Sequence, residues 1–203
     1  MEPNVRRQQD RLRGFAYLET FRELYPWTAA DVDPLQRANT PLLHRQKAID
    51  TPGVGKSNVM LIHDYKGGYL DYEDCQGLGV EDEMYSCEYL QYVETFVYFS
   101  HRLVTIPPPT WINTCHRHGV KVLGTFIVEP GTADTQRMLE KRGPEGKFWV
   151  AQQLTRIAEA YGFDGWLVNI EKPFPIFSWS AEKLEQFLLQ MRTDLGPGGK
   201  VVW

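Results

Sequence analysis

The sequence predicts an α/β fold of the (β/α)8 TIM-barrel type, truncated to about four complete βα units and the start of a fifth strand. Three observations lead there. From residue 58 onward, short apolar runs alternate with stretches of helical periodicity. Each run is continuously apolar, the pattern of parallel strands covered on both faces. Each run also ends in polar residues, so polar groups collect at one end of every strand, the end that opens onto the functional face of such a barrel.

Residues 1–57 read as an N-terminal extension packing on the barrel, and 58–203 as the partial barrel itself. The extension is rich in Pro, Arg and Asp; within it "FAYLETFRELYPW" predicts a short amphipathic helix. "GVGKS", Gly53 to Ser57, tempts one towards a phosphate-binding loop. However, Asp50 stands where that motif needs its first glycine, and the preceding "HRQKAIDTP" is polar and ends in proline, not a strand.

The first strand is "NVMLIHDY" (58–65), followed by "TFVYFSH" (95–101), "KVLGTFIVE" (121–129), "GWLVNIE" (165–171) and, as the opening of a fifth, "KVVW" (200–203). Helices fall between them. "PPTWINTCHRHG" has prolines at its entry and Gly119 at its exit. In "KFWVAQQLTRIAEAYG", Ala151, Leu154, Ala158 and Tyr161 recur three or four apart. "SAEKLEQFLLQMRTDLG" puts Leu184, Phe187, Leu188, Met191 and Leu195 on one face, with Ser180 as its cap and Gly196–Pro197 as its stop. The connection 66–94 carries eight acids against one base, Lys66, and is too long for a plain connector. It reads either as a loop folded over the strand ends or as a solvated one.

Composition narrows the function. A chain of 203 residues, 42% hydrophobic and 13% aromatic, suits one domain, at most two. Net charge is −4, and the one basic cluster (Arg6, Arg7, Arg11, Arg13) reads as a solvated tail, so no nucleic-acid partner is expected. The opening "MEPNVRRQQD" has no apolar segment of a leader, and no run approaches the ~20 apolar residues of a membrane span. Three widely spaced cysteines (Cys75, Cys87, Cys115) fit neither a disulfide framework nor a zinc site, which points to a reducing, cytosolic setting without a metal or cofactor. His116 and His118, two apart on a helix, read as surface or helix-terminal charges, not metal ligands.

The candidate site follows from strand alternation. In "GFDGWLVNIEKPF" (162–174), Leu167, Asn169 and Glu171 share one face, while Trp166, Val168 and Ile170 share the other. An amide and a carboxyl two residues apart, about 7 Å along the backbone, can hold adjacent atoms of one sugar. His63, Asp64, Ser100, His101 and Glu129 stand at the ends of the other strands. Of these His63, Asp64, His101 and Glu129 are candidate sugar-binding residues, with bracing of the rim as the alternative role.

"FDGWLVNIE" resembles the Asn-x-Glu signature of the family 85 endo-β-N-acetylglucosaminidases. "LIHDYKGGYLDYEDCQG", "TFVYFSHRLVTIPPPTWINTCHRHGVKVLGTFIVE" and "ELYPW…DPLQRANTPLLHR" are similar to its cytosolic, fungal-type members. The segment also echoes the chitinase pattern Asp-Gly-x-Asp-x-Asp-x-Glu, with Leu167 and Asn169 in place of the later aspartates. The resemblance implies cleavage of the β1,4 bond between the two core N-acetylglucosamines of N-linked glycans, on glycopeptides or free oligosaccharides. It implies that the substrate's own 2-acetamido oxygen is the nucleophile, an exception to the two-carboxylate rule. By the same resemblance Asn169 orients that acetamide and Glu171 is the general acid, then base. Enclosure in a pocket is expected to favour the protonated acid that this role needs. The alternative is a catalytically inactive fragment, acting as a sugar-binding or interaction module through an open strand edge. A chitinase-like hydrolase or lectin is a third possibility, weakened by the missing aspartates.

Overall fold

A computed structural model describes residues 16–45, 58–64, 87–173 and 179–203. The expectations for Arg6 to Arg13, for Gly53–Ser57, for Cys75 and for most of the acidic 66–94 connection lie outside the described residues.

The architecture is mixed α/β. The strands are β1 (Ala16–Leu18), β2 (Met60–Asp64), β3 (Thr95–Phe99), β4 (Val104–Ile106), β5 (Lys121–Val128), β6 (Lys141–Arg142), β7 (Lys147–Phe148), β8 (Gly165–Ile170) and β9 (Lys200–Val202). The helices are α1 (Phe21–Leu24), α2 (Pro109–Arg117), α3 (Trp149–Tyr161) and α4 (Ala181–Asp194). Among the described residues no helix is long and apolar enough to cross a membrane.

Five strands, β2, β3, β5, β8 and β9, are parallel and lie side by side in chain order. Neighbours in space that are also neighbours in sequence mark a singly wound sheet, and from β3 onward the described crossover helices α2, α3 and α4 lie on one side of it. The register bears this out. Phe96, Val122, Gly124 and Trp166 share the face on which the helices pack: Phe96 stacks on Trp111 of α2 at 4.9 Å, and the Trp166 indole donates to Leu154 O of α3 at 3.0 Å. The core lies between this face and the helices, where Leu154, Ile157, Phe187 and Met191 are fully buried. The opposite face carries Val97, Leu123, Thr125, Ile127, Leu167 and Asn169.

Helix ends follow the sequence signals. The Ser180 side chain caps α4 by accepting from Lys183 N at 3.2 Å, and Gly162 closes α3 in the left-handed conformation at φ 83°.

Three expectations need correction. The segment 15–27 is not one helix: Ala16–Leu18 pairs with β4, and only Phe21–Leu24 is helical, set off by a Thr20–Glu23 capping box. β4 and β1 add an antiparallel pair that strand alternation did not suggest. While β8 occupies one edge of β5, the other is shared, β3 pairing with Lys121–Leu123 and β4 with Thr125 and Phe126. Finally, β2 is not covered on both faces: Met60, Leu61 and Ile62 are exposed. It pairs only with β3, and β9 only with β8, so among the described residues the sheet is an open arc.

Candidate functional site

The C-terminal ends of β2, β3, β5 and β8 meet on one rim. At β8 the strand ladder extends one step past Ile170, because Glu171 N donates to Val128 O at 2.8 Å. Ile127 is in register with Asn169, and two residues further along each strand stand Glu129 and Glu171, on the face opposite the helices. The Asn169 amide, Nδ2, donates to Glu171 Oε1 at 2.9 Å, so the two side chains lie together. Asn169 is half-buried and Glu171 exposed. The enclosure expected for Glu171 is therefore not provided by the described residues, since the arc is open beyond β9.

Three other candidates form a second group. His101 lies between two carboxylates, its Nδ1 2.7 Å from Glu129 Oε1 and its Nε2 4.0 Å from Asp64 Oδ1. Phe99 sets its ring edge against His101 at 5.5 Å. Ser100, also at this rim, is buried and hydrogen-bonded to Thr105, so it holds β3 to β4. His63 is not brought to this group. One residue before Asp64, it projects from the opposite face, where its ring packs 5.6 Å from Trp111 and 6.4 Å from Phe96. Burial lowers its pKa below the ordinary imidazole value, and the neighbouring Asp64 only partly offsets that.

Lys172 is a residue that sequence reasoning passed over. Its Nζ donates to Thr132 O at 2.6 Å, while Thr132 Oγ1 accepts from Glu129 N at 2.9 Å. The loops after β5 and β8 are thereby tied together, fixing the two strand ends that carry Glu129 and Glu171. A lysine directly after an Asn-x-Glu was the available signal. Beside Glu171 a groove of about 630 Å³ is lined by Ile170, Lys172, Pro173, Trp179, Leu184 and Trp203. Among the described residues no cluster of three or more His, Cys, Asp or Glu side chains is arranged to hold a metal ion.

The arrangement offers a neutral amide donor beside a carboxyl group, with a second carboxylate–imidazole pair one strand away. An amide can orient a polar substrate group without adding a second negative charge next to the acid. Such a rim suits acid–base chemistry on a polyhydroxylated substrate.

Comparison with known proteins places this chain in a family. The family model described as glycosyl hydrolase family 85 matches residues 69–203. Cytosolic endo-beta-N-acetylglucosaminidase of Mus musculus is 41% identical over 92% of this chain, which covers 25% of that protein. The Homo sapiens protein of the same name is 38% identical over 92% of the chain and 25% of its own length. Cytosolic endo-beta-N-acetylglucosaminidase 1 of Arabidopsis thaliana is 39% identical over 95% of the chain and 26% of its length. The chain thus spans about a quarter of the length of these curated relatives. In fold it is similar to the glycoside hydrolase domain of Endo-D from Streptococcus pneumoniae R6, with a TM-score of 0.69 at 21% identity over 92% of this chain and 30% of that one. The match of a family model to well over half of the residues, together with these relatives, shows that the chain belongs to glycosyl hydrolase family 85.

Proposed function

We propose that this chain carries the acid-bearing part of an endo-β-N-acetylglucosaminidase that acts in the cytosol. The reaction is hydrolysis of the β1,4 bond between the two core N-acetylglucosamines of N-linked glycans, on glycopeptides or free oligosaccharides. The open parallel arc is then part of a (β/α)8 barrel, with residues 16–45 packed on it as an N-terminal extension. The observation that carries the reading is the 2.9 Å bond between Asn169 and Glu171 at the C-terminal end of β8.

In this reading the acetamide oxygen of the non-reducing N-acetylglucosamine attacks its own anomeric carbon. Asn169 orients the acetamide and polarises it. Glu171 donates its proton to the glycosidic oxygen as that bond breaks, leaving a cyclic oxazolinium. Glu171, now a carboxylate, takes a proton from water, and the water oxygen opens the ring from the face the leaving sugar vacated. Two displacements at one carbon retain its configuration. Asp64, His101 and Glu129 hold sugar hydroxyls along the rim, a role that the placement of His63 against Trp111 does not support for it. Lys172 keeps the two acid-bearing loops in register.

A second reading, a sugar-binding or interaction module without turnover, is favoured by the exposure of Glu171 and by the edges of β2 and β9 that stay unpaired among the described residues. The experiment is incubation of the chain with a glycopeptide carrying a high-mannose glycan. The first reading predicts a peptide retaining one N-acetylglucosamine, detected by mass. No product, with a hydrophobic dye bound to the folded chain, supports the second.

A further inference from the structure

At the opposite ends of the strands, far from the acid pair along β8, the described residues 38–45 run as a strap across α2. Ala38 N donates to Tyr161 O at 2.9 Å. Asn39 N and Thr40 N both donate to Asn113 Oδ1, at 3.1 and 3.0 Å. Leu43 N donates to His116 O at 2.9 Å. The Arg45 guanidinium reaches the carbonyls of Leu90, Gln91, Val93 and His118.

At the middle of this strap lies His116, which is not the surface charge its sequence suggests: it is only 4% exposed. Its Nδ1 is 2.7 Å from Thr40 O, and its Nε2 is 2.9 Å from Asp164 Oδ2. A backbone carbonyl only accepts, and so does a carboxylate. A neutral imidazole has a single N–H, so either tautomer would set a nitrogen lone pair against an oxygen lone pair. The imidazolium satisfies both contacts at once. The same Asp164 Oδ2 already accepts from Val122 N at 2.7 Å, so this oxygen meets the ring as an acceptor.

We propose that His116 is a proton-operated latch: its imidazolium, seated between Asp164 and the Thr40 carbonyl, fastens the 38–45 strap to the N-terminal rim of the sheet, and loss of the proton loosens it. Burial on its own would strip the proton from the ring; the hydrogen bonds to Asp164 and Thr40 and the attraction of the Asp164 charge outweigh it and raise the pKa above the ordinary imidazole value. Among the described residues few other charges bear on the ring. From the approach to β8 comes Asp164, and from the strap the uncharged Thr40 carbonyl. On α2 itself the adjacent Cys115 thiol is pushed up by burial to about 12 and stays neutral, while Arg117 is turned out to solvent, as is His118 just past the helix end.

The test is an NMR titration of ¹⁵N-labelled imidazoles in the whole chain, with amide hydrogen exchange followed over the same pH range. The latch predicts both His116 ring nitrogens protonated at pH ~6.5, where a free histidine is half neutral. Its midpoint lies above that value, and exchange at Asn39, Thr40 and Leu43 accelerates above the midpoint beyond the intrinsic base-catalysed rise. Asp164→Asn lowers the midpoint. His116→Gln, which keeps one donor but cannot titrate, removes the extra acceleration. A neutral tautomer at pH ~6.5, a midpoint at or below it, or strap exchange that only follows the intrinsic rate overturns the proposal. The wild-type titration decides the matter alone if either variant fails to fold.

Discussion

The amide of Asn169 and the carboxylate of Glu171 meet at 2.9 Å although Ile170 stands between them in sequence. Strand alternation makes this possible, since Ile170 projects to the helix side and packs against the core. The same pairing constrains how the rim can act. Asn169 supplies a donor and no charge, and in the proposed mechanism the nucleophile comes from the substrate.

That step gives the first prediction. Fluorination of the substrate's N-acetyl group withdraws electron density from the oxygen proposed to attack. With a core disaccharide bearing N-trifluoroacetyl in place of N-acetyl, turnover should fall about tenfold or more, equivalent to ~1.4 kcal/mol on the barrier. Initial rates on the two substrates measure it. Equal rates would mean that the attacking atom belongs to the protein or to water.

Gly165 opens β8 where β9 passes against it. A Cβ there would stand 1.9 Å from the Lys200 carbonyl oxygen, on a backbone with φ +150°. Gly165→Ala is expected to destabilise the chain by about 3 kcal/mol, the upper end of ordinary overpacking, by forcing β9 away. Gly131→Ala, with nothing within 4 Å of its Cβ position, is the control and should change stability by less than about 0.5 kcal/mol. Urea unfolding of the two variants separates a steric effect from a general glycine effect.

Gln153 is a buried polar side chain on α3 whose amide donates to the carbonyls of Leu24, Tyr25 and Trp27. These are the last residue of α1 and the residues that follow it. Gln153→Leu keeps the volume roughly constant and removes the donor, leaving Leu24 O and Trp27 O without it. A loss of about 1–3 kcal/mol follows, with increased hydrogen exchange confined first to residues 21–28.

The packing of His63 makes a pH prediction. Burial lowers its folded-state pKa below that of the unfolded chain. Its contribution to stability is therefore complete above the unfolded value near ~6.5 and is lost as pH falls through the lowered folded value. Urea midpoints measured from pH 8 downward should show that acid-side loss, and His63→Phe, which keeps a ring against Trp111, should flatten it. An unchanged slope in the variant would assign the acid sensitivity to carboxylates instead.

The parallel strands were legible in the sequence because each is a continuous apolar run bounded by turn residues, and a run such as Lys121–Val128 leaves no other reading. Helices α2, α3 and α4 were legible from periodicity and from their caps, Ser180 and Gly162 among them. Asn169 and Glu171 could be placed on one face by counting in twos. The remainder depended on contacts that local pattern does not encode. β4 is three residues long and runs directly into prolines, so its pairings with β5 and β1, not a local pattern, make it a strand. Its partner β1 lies almost 90 residues earlier and lacks a run of its own. His116 could be read as a surface charge because the partners that bury it, Thr40 and Asp164, are 76 and 48 residues away. His63 and Asp64 looked equivalent at a strand end, yet adjacent strand residues face opposite ways, and only one of them can join His101 and Glu129.

The most direct test of the Asn169–Glu171 pair is the rate at which the chain releases a high-mannose glycan from a glycopeptide, compared with that of Glu171→Gln. Because Glu171 is exposed, the variant should unfold at the same urea concentration as the wild type while losing ~10²-fold to 10⁴-fold in rate, the range expected for removal of a general acid. A folded Glu171→Gln chain that cleaves the core at the wild-type rate would contradict the assignment.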